Sequence, residues 1–379
     1  MIHRRQLIGR AAAAAIGSSV IWSPARAQSG GKLVIGQSAA FSGPAAQLGI
    51  QMNLGAKLYF DAVNAAGGVN GQQIELRTLD DGYEPERCKA NTEKFIKDDV
   101  FALFGYVGTP TCLAALPLVN AAKIPLFGPF TGAQALRDPF SRYVFHVRAS
   151  YYDETELIVK HLFELGLKKI AVFRQSDSYG QAGLDGVVRA LKSRNSEPIA
   201  VGQVQRNTVD VAAAVQTIVS TQPDAIIQIS AYKSCAAFIR EARKAGFGGT
   251  IYNVSFVGTQ ALADELNKDG RGIIVSQVMP FPFSGNLQIT RVYLDAIKNA
   301  GGNIKPNYSS MEGYLAAAVF AEGVKRAGRQ VTRESLINGL ETMQKMDFHG
   351  FNINFSGTSH VASKFVDVSM LTGDGNVRR

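Results

Sequence analysis

Residues 124–133 read IPLFGPFTGA, an apolar run that ends in a turn with two glycines. Apolar runs rich in β-branched residues recur along the first part of the chain, with helical patterns between them: Lys32–Ser38, Ile74–Leu79, Phe101–Tyr106, Ile124–Phe127 and Tyr143–Val147. Strands that alternate with helices pair in parallel, so this pattern predicts an α/β fold.

A second series of strands follows, again with a helix between each pair: Lys169–Arg174, Pro198–Val204, Ala225–Ile229, Thr250–Val254 and Gly272–Gln277. Each series opens with a strand, a polar turn and a helix start that contains glycine. We therefore predict two α/β units in tandem, each a doubly wound parallel sheet with helices on both faces. Further helices and a last strand remain to complete them: Leu287–Ala300, Ser309–Ala327, Arg333–Met343 and Lys364–Leu371.

In open parallel sheets a ligand binds beyond the carboxyl ends of the strands. In this chain those positions hold hydroxyl and aromatic side chains and the GPFTGA turn: Ser42, Thr109, residues 128–133, Tyr179, Tyr232 and Phe256. Two such edges that face one another would form a cleft between the units.

The GPFTGA turn has two interpretations. Its glycines let the backbone approach another surface, and Phe130 and Thr131 add an apolar face and a hydroxyl, which suits a binding turn; a plain strand-to-helix turn would need no more. Thr109-Pro110 is typical of an N-cap followed by the first residue of a helix, Pro110–Ala121. There Thr109 either caps its own helix or offers its hydroxyl to an anion. We favour binding roles, because both segments follow predicted strands.

Residues 1–27 have the plan of a cleaved export signal. The pair Arg4 and Arg5 precedes a modestly apolar, alanine-rich segment, and Ala25-Arg26-Ala27 provides a cleavage point after Ala27. The arginine pair favours twin-arginine export over the general route. A membrane anchor would need ~20 apolar residues, and Pro24 interrupts this segment earlier. We expect a mature chain of residues 28–379 in the periplasm.

Signatures of enzymes, cofactors and nucleic-acid binding are missing from the sequence. There is no GxGxxG after the first strand, no GxxxxGK[ST], no GxSxG, no HExxH and no CxxC. The formal net charge is +9, but the basic pairs are scattered rather than gathered in a stripe. We expect no catalytic residue, no cofactor and no metal. The histidines after the signal lie in no triad or metal spacing: His146, His161, His349 and His360.

Six short pieces of the chain resemble a known family: Ser42-Gly43-Pro44, Asn64–Gly71, Asp80-Asp81-Gly82, Gly105–Thr111, Phe127–Leu136 and Asp177–Gly180. Together they resemble the type I periplasmic binding proteins of the leucine/isoleucine/valine-binding family, the solute receptors of ABC importers. The resemblance covers essentially the whole mature chain. It implies two lobes joined by a three-stranded hinge, with residues 28–147 and 281–355 in the N-terminal lobe and residues 148–280 and 356–379 in the C-terminal lobe.

The resemblance also implies how a ligand is held. The family binds a ligand carboxylate with hydroxyls and backbone amides of the first lobe, which correspond to Thr109 and to Phe130, Thr131 and Gly132 in this chain. Tyrosines of the second lobe close over the ligand, and they correspond to Tyr179 and Tyr232. We expect these residues, together with Ser42, Phe256 and Gln260, to line the ligand site.

One departure from the family bears on the ligand. Amino-acid binders carry an acid in the loop after the fourth strand of the second lobe, where it pairs with the ligand ammonium; this chain has Phe256 and Gln260 there, and no acid. A buried ammonium without a counter-charge is strongly unfavourable. We therefore expect a carboxylate with an apolar or aromatic body and no amine, unless Glu312 or Asp177 reaches the cleft.

We predict a non-enzymatic, periplasmic substrate-binding protein of an ABC transport system. It would capture a small carboxylate-bearing solute, either amino-acid-like or an aromatic or aliphatic carboxylate, and deliver it to an inner-membrane permease as a monomer. A ligand-sensing module of a receptor or regulator would share the fold, and an exported α/β enzyme is a third alternative that the missing motifs disfavour. Export permits a Cys88–Cys112 disulfide, but we favour buried free thiols for these two cysteines and Cys235.

Overall fold

The computed structural model describes residues 31–379. The predicted export signal, residues 1–27, and its cleavage point after Ala27 lie outside the described residues. Within the described range, no helix combines the length and the apolar character needed to cross a membrane.

The first five strands form one sheet: β1 (Lys32–Ala39), β2 (Gln73–Asp80), β3 (Ala102–Phe104), β4 (Leu126–Phe127) and β5 (Val144–Phe145). They pair in parallel in the order β2-β1-β3-β4-β5. The connecting helices are α1 (Ala46–Ala65), α2 (Pro85–Lys97) and α3 (Thr109–Ala122). A short 3-10 helix, Gln134–Leu136, follows β4.

The second series forms a second sheet: β6 (Ile170–Gln175), β7 (Ala200–Val204), β8 (Ala225–Ile229), β9 (Thr250–Asn253) and β10 (Ile274–Gln277). Its parallel order, β7-β6-β8-β9-β10, repeats that of the first sheet. In both sheets the order of the strands therefore reverses beside the first strand. Open α/β sheets bind ligands at such a point. The helices of this unit are α4 (Tyr151–Glu164), α5 (Ser178–Lys192), α6 (Ala212–Val219), α7 (Tyr232–Lys244) and α8 (Thr259–Leu266).

The remaining elements are divided between the two units: α9 (Gln288–Ala300), α10 (Tyr308–Arg326), α11 (Arg333–Glu341), β11 (Met346–Phe348), β12 (Phe351–Ile353), β13 (Asp367–Leu371) and β14 (Val377–Arg378). Helix α10 packs along α1 and α11 packs on α10, so these helices complete the first unit. β13 joins the second sheet antiparallel to β10, and β14 pairs with β13 in the same way. The sequence predicts a parallel sheet, but the pairing at this end of the second sheet is antiparallel. The reason is that β13 follows a crossing between the units and not a crossover helix.

Alternate residues of the short strands pack on opposite faces of the first sheet. Phe104 and Phe127 belong to the core that α1 and α10 share, whereas Leu103 and Leu126 pack with α2 and α3. This is the period of two expected for strands buried on both sides. The apolar runs of the sequence therefore record burial on both faces of the sheet.

The chain passes between the two units after β5, after β10 and between β12 and β13. The first and third crossings are hydrogen-bonded to each other: the amide of His146 donates to the carbonyl of His360, and the amide of Ala362 donates to the carbonyl of His146, each at 2.8 Å. The crossings thus have the form of a hinge with three segments. The exact lobe limits, 28–147 with 281–355 and 148–280 with 356–379, stay a prediction.

One helix start differs from the sequence prediction. The N-cap of α3 is Gly108, whose φ of 105° suits glycine alone, and Thr109 is the first helical residue. The hydroxyl of Thr109 makes no capping bond and pairs with Thr131 instead. The N-cap prediction for Thr109 is therefore wrong, because a glycine takes the cap position.

The three cysteines are free thiols, and all are buried: Cys88, Cys112 and Cys235. Burial raises the pKa of each thiol above its ordinary value. The thiols therefore stay protonated at neutral pH and are poor nucleophiles. Of the two predicted cysteine states, the structure has the free one.

Candidate functional site

A chain of three hydroxyl groups lies where the first sheet faces the second. Thr109 begins α3 beyond β3, Thr131 lies in the turn beyond β4, and their Oγ1 atoms are 2.6 Å apart. Thr131 Oγ1 also donates to the hydroxyl of Tyr151, the first residue of α4, at 3.3 Å. All three residues are buried. Each hydroxyl has one proton that can rotate, so Thr109 or Thr131 can donate to a ligand oxygen instead of to its neighbour.

The turn beyond β4 holds Tyr151 in this chain of hydroxyls. The amide of Tyr151 donates to the carbonyl of Gly132 at 2.8 Å. A Cβ atom on residue 132 would lie 2.6 Å from the Tyr151 ring, so only glycine permits this approach. The second glycine of GPFTGA thus positions a tyrosine that comes from the other unit.

Aromatic rings from both units pack together beside the hydroxyls. Tyr83 and Phe130 come from the first unit, and Tyr179 and Phe256 come from the second. The centroid of the Phe256 ring lies 5.9 Å from that of Tyr83, 5.6 Å from that of Phe130 and 4.4 Å from that of Tyr179. The Tyr179 hydroxyl is buried without a hydrogen-bond partner. Such an unpaired donor is what a ligand acceptor would satisfy.

Polar contacts bring the two units together around these rings. Gln175 Nε2 donates to the Tyr83 hydroxyl at 3.2 Å. Arg206 of the second unit pairs with Glu84 of the first at 2.9 Å. The structure is therefore a closed arrangement of the two units.

Ser42 and Tyr232, two predicted site residues, lie apart from this cluster. Ser42 is exposed and donates its hydroxyl proton to Asp80 at 2.5 Å, because the loop after β1 folds back on the end of β2. Tyr232 is buried, and its hydroxyl lies near the backbone amide of Gln47 in α1. Tyr232 thus contacts the first unit, but not at the rings.

Gln260 also lies away from the cluster. Its side-chain amide donates to the Asp264 carboxylate at 2.8 Å and to the Gly375 carbonyl at 3.0 Å. Gln260 is the second residue of α8, and its position on the helix turns it toward the C-terminal segment. Its lack of charge therefore does not decide which ligand the cleft accepts.

A buried arginine lies at the first crossing between the units. Arg148 is 1% exposed, and its guanidinium carbon lies 4.8 Å from the centre of the Phe130 ring. Nη2 donates to the hydroxyl of Ser255, whereas Nε and Nη1 have no hydrogen-bond partner. Glu154 and Glu312 flank the guanidinium, each with an oxygen 3.7 Å from one of its nitrogens. Arg148 thus lies between an acid of α4 and an acid of α10.

The two acids beside Arg148 differ in how they are stabilised. Glu154 accepts hydrogen bonds from the Ser255 amide at 2.7 Å, the Ser255 hydroxyl at 3.0 Å and the Ser276 hydroxyl at 2.6 Å. Glu312 accepts none from the described residues. Burial raises the pKa of Glu312 to about 7; Arg148 opposes this rise and Glu154 adds to it. A buried acid with no donors, at the meeting of two units, is a candidate functional group.

A cavity of about 10 Å³ lies between the units beside Glu312. It is the size of a single water molecule. Any larger solute therefore needs the units to separate before it can enter. The lining residues are Phe130, Ser255, Gln277, Val278, Met279, Tyr308, Ser309 and Glu312.

A family model described as periplasmic binding protein matches residues 32–375. The chain belongs to the periplasmic binding protein family. Among related proteins, Leu/Ile/Val-binding protein homolog 7 of Brucella suis biovar 1 is 24% identical over 301 residues, which are 76% of this chain and 75% of that protein. Members of this family are exported to the periplasm, and the matched relatives are named as binding proteins rather than enzymes.

Solved structures of periplasmic binding proteins share the fold. A possible leucine/isoleucine/valine-binding protein from Rhodopirellula baltica SH 1 is 33% identical with a TM-score of 0.89, over 92% of this chain and 96% of that one. A substrate-binding periplasmic protein from Ralstonia solanacearum is 29% identical with a TM-score of 0.86, over 91% of this chain and 99% of that one. The resemblance and the two-lobed α/β fold predicted from sequence are confirmed.

The sequence does not predict Tyr83, Tyr151 and Arg148 as cleft residues of this periplasmic binding protein, and it offers Glu312 only as an acid that could reach the cleft. Tyr83 directly follows Asp80-Asp81-Gly82, and Tyr151 directly follows the first crossing. Arg148 is an isolated charge beside an apolar strand, which is a weak signal. Glu312 is a lone acid in an otherwise apolar stretch of helix, and such an acid is rarely buried without a partner.

Glu312 and Asp177 are the two acids that could pair with a ligand ammonium, and of these only Glu312 lies beside Arg148 in this periplasmic binding protein. Asp177 caps α5 by accepting from the amide of Tyr179 at 3.0 Å, and it pairs with Arg206 at 3.3 Å. Among residues 31–379, no group of three or more His, Cys, Asp or Glu side chains is arranged to hold a metal ion.

Proposed function

We propose that this protein is the substrate-binding component of an ABC import system, which captures a small carboxylate-bearing solute between its lobes and delivers it to an inner-membrane permease. The observation that carries the proposal is the hydroxyl chain from Thr109 through Thr131 to Tyr151 at the ends of two neighbouring strands. Hydroxyl donors in a closed, apolar surrounding suit a carboxylate, because hydrogen bonds to a charged acceptor are strong there. The solutes in the names of the relatives, leucine, isoleucine and valine, all carry a carboxylate.

The proposed site combines groups of both lobes. Thr109, Thr131 and Gly132 of the first lobe would hold the carboxylate, while Phe130 and Phe256 would contact the body of the solute and Tyr179 would close over it. A solute that contacts both lobes stabilises the closed state relative to the open one, and this shift of population is the signal that a permease reads. The mechanism needs no catalytic group, and the protein would act as a monomer.

A thermal-shift panel of matched solutes tests the proposed solute class. One set is phenylalanine, its deaminated acid phenylpropanoate and its decarboxylated amine phenylethylamine; the other is leucine, isocaproate and isoamylamine. We expect members that carry a carboxylate to stabilise residues 28–379, by about 2.7 kcal/mol at a hundred times the dissociation constant, which corresponds to a few degrees. Stabilisation by amines alone, or by none of the six solutes, would contradict the proposal.

Replacing Thr109 by alanine is expected to weaken carboxylate binding about tenfold. The substitution removes one hydroxyl of the chain and so one bond to a charged group. Isothermal titration calorimetry with the best carboxylate of the panel measures the change. Thr217→Ala on the exposed face of α6 is the matched control and should bind as the wild type does. An unchanged dissociation constant for Thr109→Ala would remove Thr109 from the site.

A further inference from the structure

Arg148 and Glu312 carry opposite charges at the cleft, and neither has the hydrogen bonds that a buried charge normally requires. Two of the three guanidinium nitrogens of Arg148 lack an acceptor, although the residue is 1% exposed. Glu312 lacks a donor, and the 3.7 Å between its oxygen and Arg148 Nη1 is too long for a hydrogen bond. In the closed arrangement the described residues therefore supply no acceptor for Nε and Nη1 of Arg148, and these donors suit an acceptor from outside the chain.

The position of Arg148 connects these donors with the proposed carboxylate site. Its guanidinium lies over the face of Phe130, the residue next to Thr131 in the turn beyond β4. Arg148 itself belongs to the first crossing between the lobes, and Tyr151, the last hydroxyl of the chain, is three residues further on. Arg148 thus offers a planar guanidinium at the same turn of the cleft, and its fork of N–H groups matches a carboxylate.

We propose that Arg148 is the charged anchor for the ligand carboxylate, and that Glu312, which lies 3.7 Å from this guanidinium in the closed arrangement, is displaced from it as a protonated acid when the ligand binds. The inference rests on the proposed function and names the group that sets its ligand class. The ligand is then a carboxylate that needs no ammonium, because Glu312 becomes neutral rather than pairing with a cation.

The charge balance of the cleft explains why a proton accompanies the ligand. The charged groups that face Glu312 are Arg148 at the first crossing, Arg137 beyond β4 and Glu154 on α4. Two guanidinium groups balance two carboxylates, so a ligand carboxylate adds one negative charge in excess. Burial raises the pKa of Glu154 as well, but Arg148 and three hydrogen bonds from Ser255 and Ser276 oppose that rise. Glu312 accepts none and its pKa is already raised to about 7 by burial, so it is the acid that takes a proton from solvent.

Calorimetry in two buffers with different heats of ionisation measures this proton. With phenylpropanoate and isocaproate as probes, we expect uptake of about one proton at pH 8 and almost none at pH 6, and an affinity that falls about tenfold per pH unit above neutrality. Glu312→Gln should abolish the uptake and bind about tenfold more tightly than the wild type at pH 8.

Variants of Arg148 test the anchor itself. Arg148→Lys keeps the charge but loses the planar fork, and we expect about tenfold weaker binding. The double variant Arg148→Met with Glu312→Gln removes one charge of each sign, so that the buried balance is kept, and it should bind about a hundredfold more weakly. Arg142→Met and Glu334→Gln are the matched controls, because this pair is exposed on the first lobe with 2.5 Å between its charged atoms. Ligand-free melting and circular dichroism confirm that each variant is folded.

The possible outcomes separate the roles of Arg148 and Glu312 from the proposed function. Carboxylate binding that is equal in the wild type and the double variant overturns the anchor role of Arg148 and leaves the proposed function standing. Binding that requires an amine and is lost in Glu312→Gln shows that Glu312 pairs with a ligand ammonium, which overturns its displacement. A wild-type protein that binds neither carboxylates nor amino acids overturns this inference and the proposed function together.

Discussion

Replacing Glu312 by glutamine is expected to raise the free energy of unfolding by about 3 kcal/mol at pH 8 and to leave it unchanged at pH 4. Burial raises the pKa of Glu312 from its ordinary 4.5 to about 7 in the folded protein. Between these values the folded chain retains a proton that the unfolded chain has lost. With respect to Glu312, the wild-type protein is therefore most stable below pH 4.5, where this acid is protonated in both states. It loses this part of its free energy of unfolding as the pH rises from 4.5 through 7. Glutamine has no proton to lose, so the variant keeps its stability.

Chemical denaturation at unit steps from pH 4 to pH 8 checks this expectation. The difference in free energy of unfolding between Glu312→Gln and the wild type should grow from pH 4.5 to pH 7 and then level off. Glu334→Gln is the control, because Glu334 is exposed and accepts a hydrogen bond from Arg142. This hydrogen bond is the main reason that the pKa of Glu334 is lowered. Glu334→Gln should show no gain at high pH. A difference between Glu312→Gln and the wild type that is the same at every pH would mean that Glu312 does not titrate in this window.

The strands show what the apolar pattern of the sequence can predict. Ala225–Ile229 has the same limits in prediction and structure, because it is a central strand that is fully buried and hydrogen-bonded along its length. The run Phe101–Tyr106 is predicted longer than β3 is, since Gly105 takes a φ of 60° and ends the extended backbone, although its amide still donates to the carbonyl of Phe127 and its neighbours stay buried. Apolar residues report burial, whereas strand limits depend on backbone pairing.

The candidate site could be predicted only where it follows from strand ends. Thr109 and Thr131 come together because consecutive parallel strands deliver their ends to one edge, and the chain order is enough to show this. Arg148, Glu154 and Glu312 come together from a crossing and two helices. No local pattern predicts that meeting, because it depends on how α4 and α10 pack around the hinge.

The loop after β9 and the helix that follows it show the same limit of prediction from sequence. The absence of an acid after β9 is correct as a statement about sequence, and Ser255 and Phe256 of that loop do lie at the cleft. Gln260 itself is turned away with α8, and the acids beside Arg148 come from α4 and α10. The charge of a cleft therefore has to be counted over every element that lines it.

Replacing Gly313 by alanine is expected to give one of the largest losses of stability, about 3 kcal/mol or a melting temperature lower by about 4 °C. Helices α1 and α10 cross with almost no space between their backbones. A Cβ atom on residue 313 would lie 2.0 Å from the carbonyl oxygen of Met52 in α1. The clash is with backbone, which cannot rotate away as a side chain could, so the helices must move apart and lose the packing along their whole contact.

Calorimetric melting of Gly313→Ala against Gly248→Ala separates this clash from the general effect of adding a methyl group. Gly248 is exposed and needs no positive φ, and a Cβ atom there would meet no other atom within 4 Å, so alanine should be neutral or slightly stabilising. Equal melting temperatures for the two variants would mean that α10 can shift without cost. A loss confined to Gly313→Ala would show instead that the backbone contact with α1 fixes α10, and with it the position of Glu312 opposite Arg148.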